Sequence, residues 1–173
     1  MRQLMISLDK QIAQEGSRVA NRMELYGKQD ELFILIPDRL SKAEFMLGDK
    51  VHVEVVGGSN KLIQGYRVFR RGRELIKKHN IIFVTTQDPF FTGLIGVFLK
   101  FFRRRIKLEI QLHGDFFGSD YYRDNHLIRY FLCRINIKIA DKVRVASRRS
   151  KESLIKKLIM RTIGRTYHGH EFL

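Results

Sequence analysis

Tryptophan is missing from this 173-residue chain, cysteine occurs once and proline only twice. A lone Cys133 excludes an intramolecular disulfide, and its apolar setting "YFLCRINI" reads as a buried, inert thiol and not as a nucleophile or metal ligand. Scarce proline alongside 44% hydrophobic residues excludes a Pro-rich disordered segment and predicts a globular chain with one well-buried core. Long apolar runs are also wanting. The longest, from Pro89 to Phe102, falls short of the ~20 residues a membrane-spanning helix needs and is interrupted by Lys100. The opening "MRQLMISLDK" has no apolar stretch followed by small residues, so it reads as a first core strand and not as a signal peptide.

Acidic residues are in short supply: 18 Asp and Glu stand against 33 Lys and Arg, for a net charge of +15. The imbalance is uneven. Lys100 to Arg165 holds 18 basic against 6 acidic residues, whereas residues 1 to 99 hold 15 against 11. Such a bias favours anions as a class, whether lipid, nucleic acid or phosphorylated substrate, without choosing among them.

Short β-branched runs alternate with longer amphipathic ones. Strands are predicted at Gln3–Leu8, Leu32–Pro37, Val51–Gly57, Ile81–Thr86, Ile106–Gly114 and Lys142–Ser147, six in all. Helices are predicted at Ser17–Gln29, Asn60–His79, from Asp88-Pro89 onward, at His126–Ala140 and at Ser150–Ile159. Val19, Met23 and Tyr26, with Ala20 beside them, form the expected inward stripe of the first helix, and Ser17 its N-cap. The continuous run "IIFVTT" matches a strand buried on both faces. Strands separated by helices need crossovers, which place the strands parallel and the helices on both faces. The fold class is therefore α/β, a Rossmann-like, doubly wound and mostly parallel sheet in a single domain over residues 1–160, followed at 161–173 by a tail or the start of a truncated linker.

Ligands of such sheets bind beyond the carboxyl ends of the strands, which directs attention to four loops. The first contains Gly16, just before a helix N-terminus where amide groups could hold a phosphate or where the glycine simply eases helix entry. It has neither GxGxxG nor a Walker A sequence, which removes support for dinucleotide or P-loop chemistry. His113 ends the fifth strand, with Gly114 allowing a sharp turn, so its imidazole stands at the carboxyl edge either as a functional group or as a structural hydrogen-bonding partner. Arg148 and Arg149 lie beside the last helix start, where they could meet a phosphate or water. Arg103 to Arg105 close the Pro89–Phe102 helix and either complement its dipole or give an apolar helix a cationic, membrane-facing end. His168 and His170 are read as solvated tail residues; no metal site is expected.

Three elements in order, "TTQDPFFTGLIGVFLKFF", "LEIQLHGDFF" and "ADKVRVASRRSKESL", resemble the N-terminal, acceptor-side domain of family 4 retaining GT-B glycosyltransferases. The early "RVANRMELYGKQ" helix is similar to the first helix of such enzymes. The resemblance implies transfer of a sugar from a nucleotide-activated donor, with retention, in a cleft between two Rossmann-like domains. It implies that His113 is the cleft histidine near the donor sugar, catalytic in role, that Gly16 lies in the loop approaching the donor diphosphate, and that Gln87, Asp88, Ser147 and Arg148 border the acceptor. No further cofactor is implied. The second domain of the family holds the nucleotide, so the expected partners are a nucleotide-sugar donor bound only with a C-terminal domain or partner chain, and a glycan or lipid-linked acceptor. The expected location is cytoplasmic, at the inner face of the membrane if the Phe90–Phe102 helix exposes an apolar face.

A competing reading is a basic α/β binding module for nucleic acid or anionic surfaces. No helix-turn-helix, RNA-recognition or zinc-finger signature accompanies it, which disfavours nucleic acid. The position of the basic residues separates the two: the carboxyl edge beside His113 for a transferase, an outer helix face for a binding module.

Overall fold

The computed structural model describes residues 1–39, 41–114 and 126–157, with 156 and 157 described by backbone alone. The tail at 161–173, including His168 and His170, lies outside the described residues, as does the segment that follows Gly114. Seven strands, β1 (Arg2–Ile6), β2 (Glu31–Asp38), β3 (Ala43–Leu47), β4 (Val51–Gly57), β5 (Phe83–Thr86), β6 (Lys107–Leu112) and β7 (Lys142–Val145), form one sheet in the order β3-β4-β2-β1-β5-β6-β7. Every pairing is parallel except β3 with β4. The helices are α1 (Arg18–Gly27), α2 (Lys61–His79), α3 (Phe91–Phe102), α4 (Leu127–Ile139) and α5 (Arg148–Lys157), with a short 3-10 turn at Lys10–Ala13. This is the expected single, doubly wound α/β domain.

Alternation along the strands builds two cores. Leu4 and Ile6 of β1, Phe33 and Leu35 of β2, and Leu108, Ile110 and Leu112 of β6 face a layer made by α2, α3 and α4. Met5, Leu32, Ile34, Ile36, Val51 and Val53 face the other way, toward α1 and Ile12 of the 3-10 turn. The β2 sequence "LFILI" is thus apolar throughout because its odd and even positions serve different cores.

Three sequence expectations are corrected by the packing. A seventh strand, β3, joins the six foreseen; its "AEFML" is mostly exposed and rich in helix formers, and it is an edge strand held by the register Phe45↔Val53. Of the expected stripe of α1, Val19, Ala20 and Met23 do face the core, but Gly27 takes the next inward place and Tyr26 is exposed, because α1 approaches β4 so closely that a Cβ on Gly27 would run into Val51 Cγ2. β5 is not buried on both faces along its length: Ile82 and Phe83 are exposed, and Thr85 rather than an aliphatic side chain stands on the α1 side.

Other local expectations stand. Ser17 Oγ accepts the Ala20 amide at 3.0 Å as the α1 N-cap. Asn60 does the same for α2 through Ile63, and Asn80 closes that helix in the left-handed conformation, φ 51°. Cys133 is buried against the α2–α4 core, and burial pushes its thiol up to about 12, far from reactive thiolate values.

Candidate functional site

From β1 the chain winds one way through β2 to β4, then returns to place β5, β6 and β7 on the opposite side of β1. The strand order therefore reverses between β1 and β5, and ligands of such sheets bind in the crevice outside the carboxyl ends at a reversal of this kind. Ser7, directly after β1, is fully buried, and its hydroxyl donates to Gln87 Oε1, directly after β5. Gln87 is tied again through its backbone amide, which donates to the Ile6 carbonyl at 3.1 Å, and through Nε2, which reaches Met5 Sδ at 3.5 Å. Ser7 Oγ also accepts the Asp9 amide at 3.0 Å, so the loop toward Gly16 leaves the switch point in a set direction. Gly16 has φ +75°, open space where a Cβ would stand, and lies immediately before the capped N-terminus of α1.

Asp88 builds the next wall. Its Oδ1 accepts the amides of Phe90 at 2.7 Å and Phe91 at 2.8 Å, while Oδ2 accepts the Thr92 amide at 3.0 Å and the Thr92 hydroxyl at 2.6 Å. The carboxylate is thereby spent on starting α3, and Asp88 presents a rigid turn to the crevice. Asn136 of α4, fully buried, braces the same turn by donating to the Pro89 carbonyl at 2.9 Å.

His113 follows β6 at the same edge, exposed, two residues beyond Gln111 on the face turned toward α1. That face is polar over β5 to β7. Gln111 Nε2 donates to Thr85 Oγ1 at 3.2 Å, and Lys142 Nζ lies 2.8 Å from Glu109 Oε2. Arg144 stands opposite Gln111 in register. Partial desolvation at the strand end disfavours the charged form of His113, and the guanidinium groups of Arg144 and Arg22 push in the same direction against a smaller opposing effect of Asp9, so its pKa is held below the ordinary imidazole value. A neutral imidazole in a cationic setting can accept or donate one hydrogen bond to a hydroxyl, and the surrounding cations suit an anionic ligand.

Ser147 and Arg148 lie farther along the edge, after β7. Ser147 Oγ accepts the Ser150 amide at 3.1 Å and so caps α5, while Arg148 is 92% exposed and pairs with Glu152 at 3.2 Å. The structure thus brings Gly16, Gln87, Asp88 and His113 to the crevice flanking β1 and β5, with Ser147 and Arg148 at its β7 end. Sequence reading singled out none of Ser7, Asp9, Arg22 and Arg144. Ser7 and Asp9 carried a signal, since both sit where β1 gives way to loop; Arg22 and Arg144 looked like any solvated cation.

No family model and no curated protein matches the chain. Solved structures do match in fold. Sucrose-phosphate synthase from Thermosynechococcus elongatus superposes with a TM-score of 0.70 at 10% identity over 91% of this chain and 45% of that one. The E. coli trehalose-6-phosphate protein bound with UDP-2-fluoro glucose gives 0.62 at 9% identity, over 88% and 41%. The UDP-GlcNAc 2-epimerase from Methanocaldococcus jannaschii gives 0.59 at 13%, over 92% and 43%. The chain spans less than half the length of each of these proteins. At such identities the likeness is one of fold: the domain has the architecture of a Rossmann-like half of a GT-B protein.

Proposed function

We propose that this chain is the N-terminal, acceptor-side half of a retaining glycosyltransferase of the family 4 type, transferring a sugar from a nucleotide-sugar donor to a glycan or lipid-linked acceptor. The observation that carries this reading is the convergence of His113, Gln87 and the Gly16 loop on the crevice at the strand-order reversal. The fold likeness to proteins whose names include sucrose-phosphate synthase and UDP-GlcNAc 2-epimerase supports it. In this reading His113 faces the donor sugar, where a neutral imidazole bonds a sugar hydroxyl, and Gly16 leaves room for the diphosphate at the α1 N-terminus. Gln87, the turn built by Asp88, Ser147 and Arg148 border the acceptor.

The nucleotide is held by a second half, supplied as a C-terminal domain or a partner chain, and the enzyme works in the cytoplasm at the inner face of the membrane. His113, Gln87 and the Gly16 loop act as one wall of a cleft and do not catalyse transfer alone. Calorimetry of the purified chain with UDP-, GDP- and ADP-sugars tests this: little or no heat is expected, and micromolar binding overturns the division of labour.

One observation favours a second reading, a module for anionic surfaces. Arg22, Arg144 and Arg148 stand at the carboxyl edge, but α2 and α4 together carry ten lysines and arginines, most of them exposed, against the single acid Glu74, and this basic helix layer suits a binding surface more than a cleft wall.

A further inference from the structure

The outward side of the α2–α4 layer carries large apolar side chains of the sort that helix packing normally covers. On α3, Phe98, Phe101 and Phe102 point away from the sheet, Phe101 and Phe102 being 64% and 63% exposed. On α2, Leu62 is 86% and Tyr66 63% exposed, one turn apart; on α4, Ile128, Phe131 and Ile135 recur at i, i+3 and i+7, with Ile128 at 77%. Leu62 and Tyr66 therefore point outward, while Val68, Gly72, Leu75 and Ile76 take the inner face.

Cations are set among these side chains. Arg73 lies over the rings of Phe102 at 4.7 Å and Phe69 at 5.7 Å, Lys61 over Phe91 at 5.0 Å, and Arg134 over Tyr130 at 5.7 Å. Between the ends of α2 and α3 a groove of about 360 Å3 is lined by Arg70, Arg73, Lys77 and Arg103 above Leu99 and Phe102. The three helices together hold eleven lysines and arginines and one acid, Glu74.

That charge decides among occupants. A second copy of this chain would bring the same cations against themselves, and like charges across an interface oppose association. Nucleic acid would satisfy the cations and could stack on Phe101 or Phe102, but it would leave the aliphatic Leu62, Ile128 and Ile135 against a charged, hydrated backbone with nothing apolar to cover them. An anionic bilayer satisfies both features, since headgroup phosphates take the Lys and Arg side chains while aromatic and aliphatic groups enter the acyl boundary. Among the described residues no helix is long and apolar enough to cross a membrane, so the contact is with the surface. We infer that the outer face of α2, α3 and α4 docks on an anionic lipid bilayer. The inference rests on the anionic-surface reading and supplies a surface for the membrane location in the transferase reading; the sugar-nucleotide calorimetry uses a different ligand, so the two readings can fail separately.

Vesicle flotation of the full chain tests it, comparing phosphatidylcholine alone with phosphatidylcholine containing about one-third phosphatidylglycerol, the latter chosen for a dense anionic surface. Partition onto the anionic vesicles is expected to be at least about tenfold stronger and to weaken with salt. Combining Arg70→Glu with Lys77→Glu is expected to reduce it by about tenfold or more, and combining Phe101→Ser with Ile128→Ser by about tenfold. Because the chain has no tryptophan, Phe101→Trp supplies a single indole, excited apart from the six tyrosines, whose emission shifts to the blue on anionic vesicles and is quenched by brominated lipid. This second readout needs no disruptive variant.

Equal partition onto neutral and anionic vesicles, or no partition onto either, overturns the inference, as does unchanged emission from Phe101→Trp. Binding to duplex DNA that survives Phe101→Ser with Ile128→Ser, without vesicle binding, overturns it in favour of nucleic acid. A dimer by light scattering that this variant abolishes overturns it in favour of a second copy.

Discussion

Lys100 Nζ lies 2.7 Å from Asp141 Oδ2, joining the end of α3 to the start of β7. The same ammonium donates to the Ile139 carbonyl at 2.9 Å, and the same carboxylate oxygen accepts the Leu108 amide at 2.8 Å, so one ion pair clamps α3, α4, β6 and β7. Both side chains are about one-fifth exposed. Burial would raise the Asp141 pKa, but Lys100 and the Leu108 amide outweigh it and hold the carboxyl below its ordinary value. Asp141→Asn should cost about 2 kcal/mol, a fall in Tm of roughly 4–8 °C. A carboxyl with a lowered folded pKa stabilises above its unfolded value and loses that contribution as pH falls through the folded one. The gap between the parent and Asp141→Asn should therefore be full at neutral pH and shrink below about pH 4; thermal melts across pH check it.

His113 should remain neutral in the folded chain to a pH below about 6.5, the value of a free imidazole. The unfolded chain takes the proton first, so this group supports folding above that pH, and its contribution is lost as pH falls toward the folded value. Titration of the His113 ring protons by NMR reads the pKa directly. Arg144→Gln should raise it and Asp9→Asn lower it; a parent value at or above that of free imidazole would contradict the cationic, partly desolvated setting described for the ring.

Asp88→Ala should lower stability by about 1–2 kcal/mol, because the start of α3 loses the acceptor for three amides and a hydroxyl. Asp88→Asn, which keeps one carbonyl oxygen, should recover part of the loss. Denaturant melts distinguish the two. Loss of acceptor binding in Asp88→Asn with stability near the parent's would assign the carboxylate a direct contact in addition to the cap.

Two glycines should respond to alanine in different ways. At Gly16 there is room for a Cβ but φ is +75°, so Gly16→Ala should cost about 1 kcal/mol through the backbone alone. At Gly96 the added Cβ would come within 2.7 Å of Leu108 Cδ1 and 2.8 Å of Thr86 Cγ2, so Gly96→Ala should cost about 1–3 kcal/mol through overpacking. A Gly96→Ala cost below that of Gly16→Ala, measured in denaturant, would contradict the overpacking assigned to Gly96.

Most of the architecture could be read from periodicity because burial in this sheet is strongly patterned. β2 and β4 are apolar where both cores meet them, and Ser17 and Asn60 sit where caps belong. Failures came where tertiary packing overrules local pattern. β3 has an edge strand's weak alternation, Tyr26 was displaced from the core by the close approach of Gly27, and Thr85 belongs to a polar sheet face that no linear pattern announces. The crevice was legible as a set of strand ends. The Ser7–Gln87 bond that joins two of those ends spans 80 residues of sequence, and only the pairing of β1 with β5 brings its partners together.

Helix α3 has almost no idle positions. Thr92, Gly93, Ile95, Gly96, Val97 and Leu99 are buried, Gly93 and Gly96 letting the backbone settle close to its neighbours, while Lys100 holds the clamp and Phe98, Phe101 and Phe102 form the outer face. A twelve-residue segment answerable to two surfaces at once has little freedom to drift. Polar replacements that an ordinary amphipathic helix accepts on its solvent side would here erase a docking face, and apolar replacements of the small inner residues would lift the helix off the sheet.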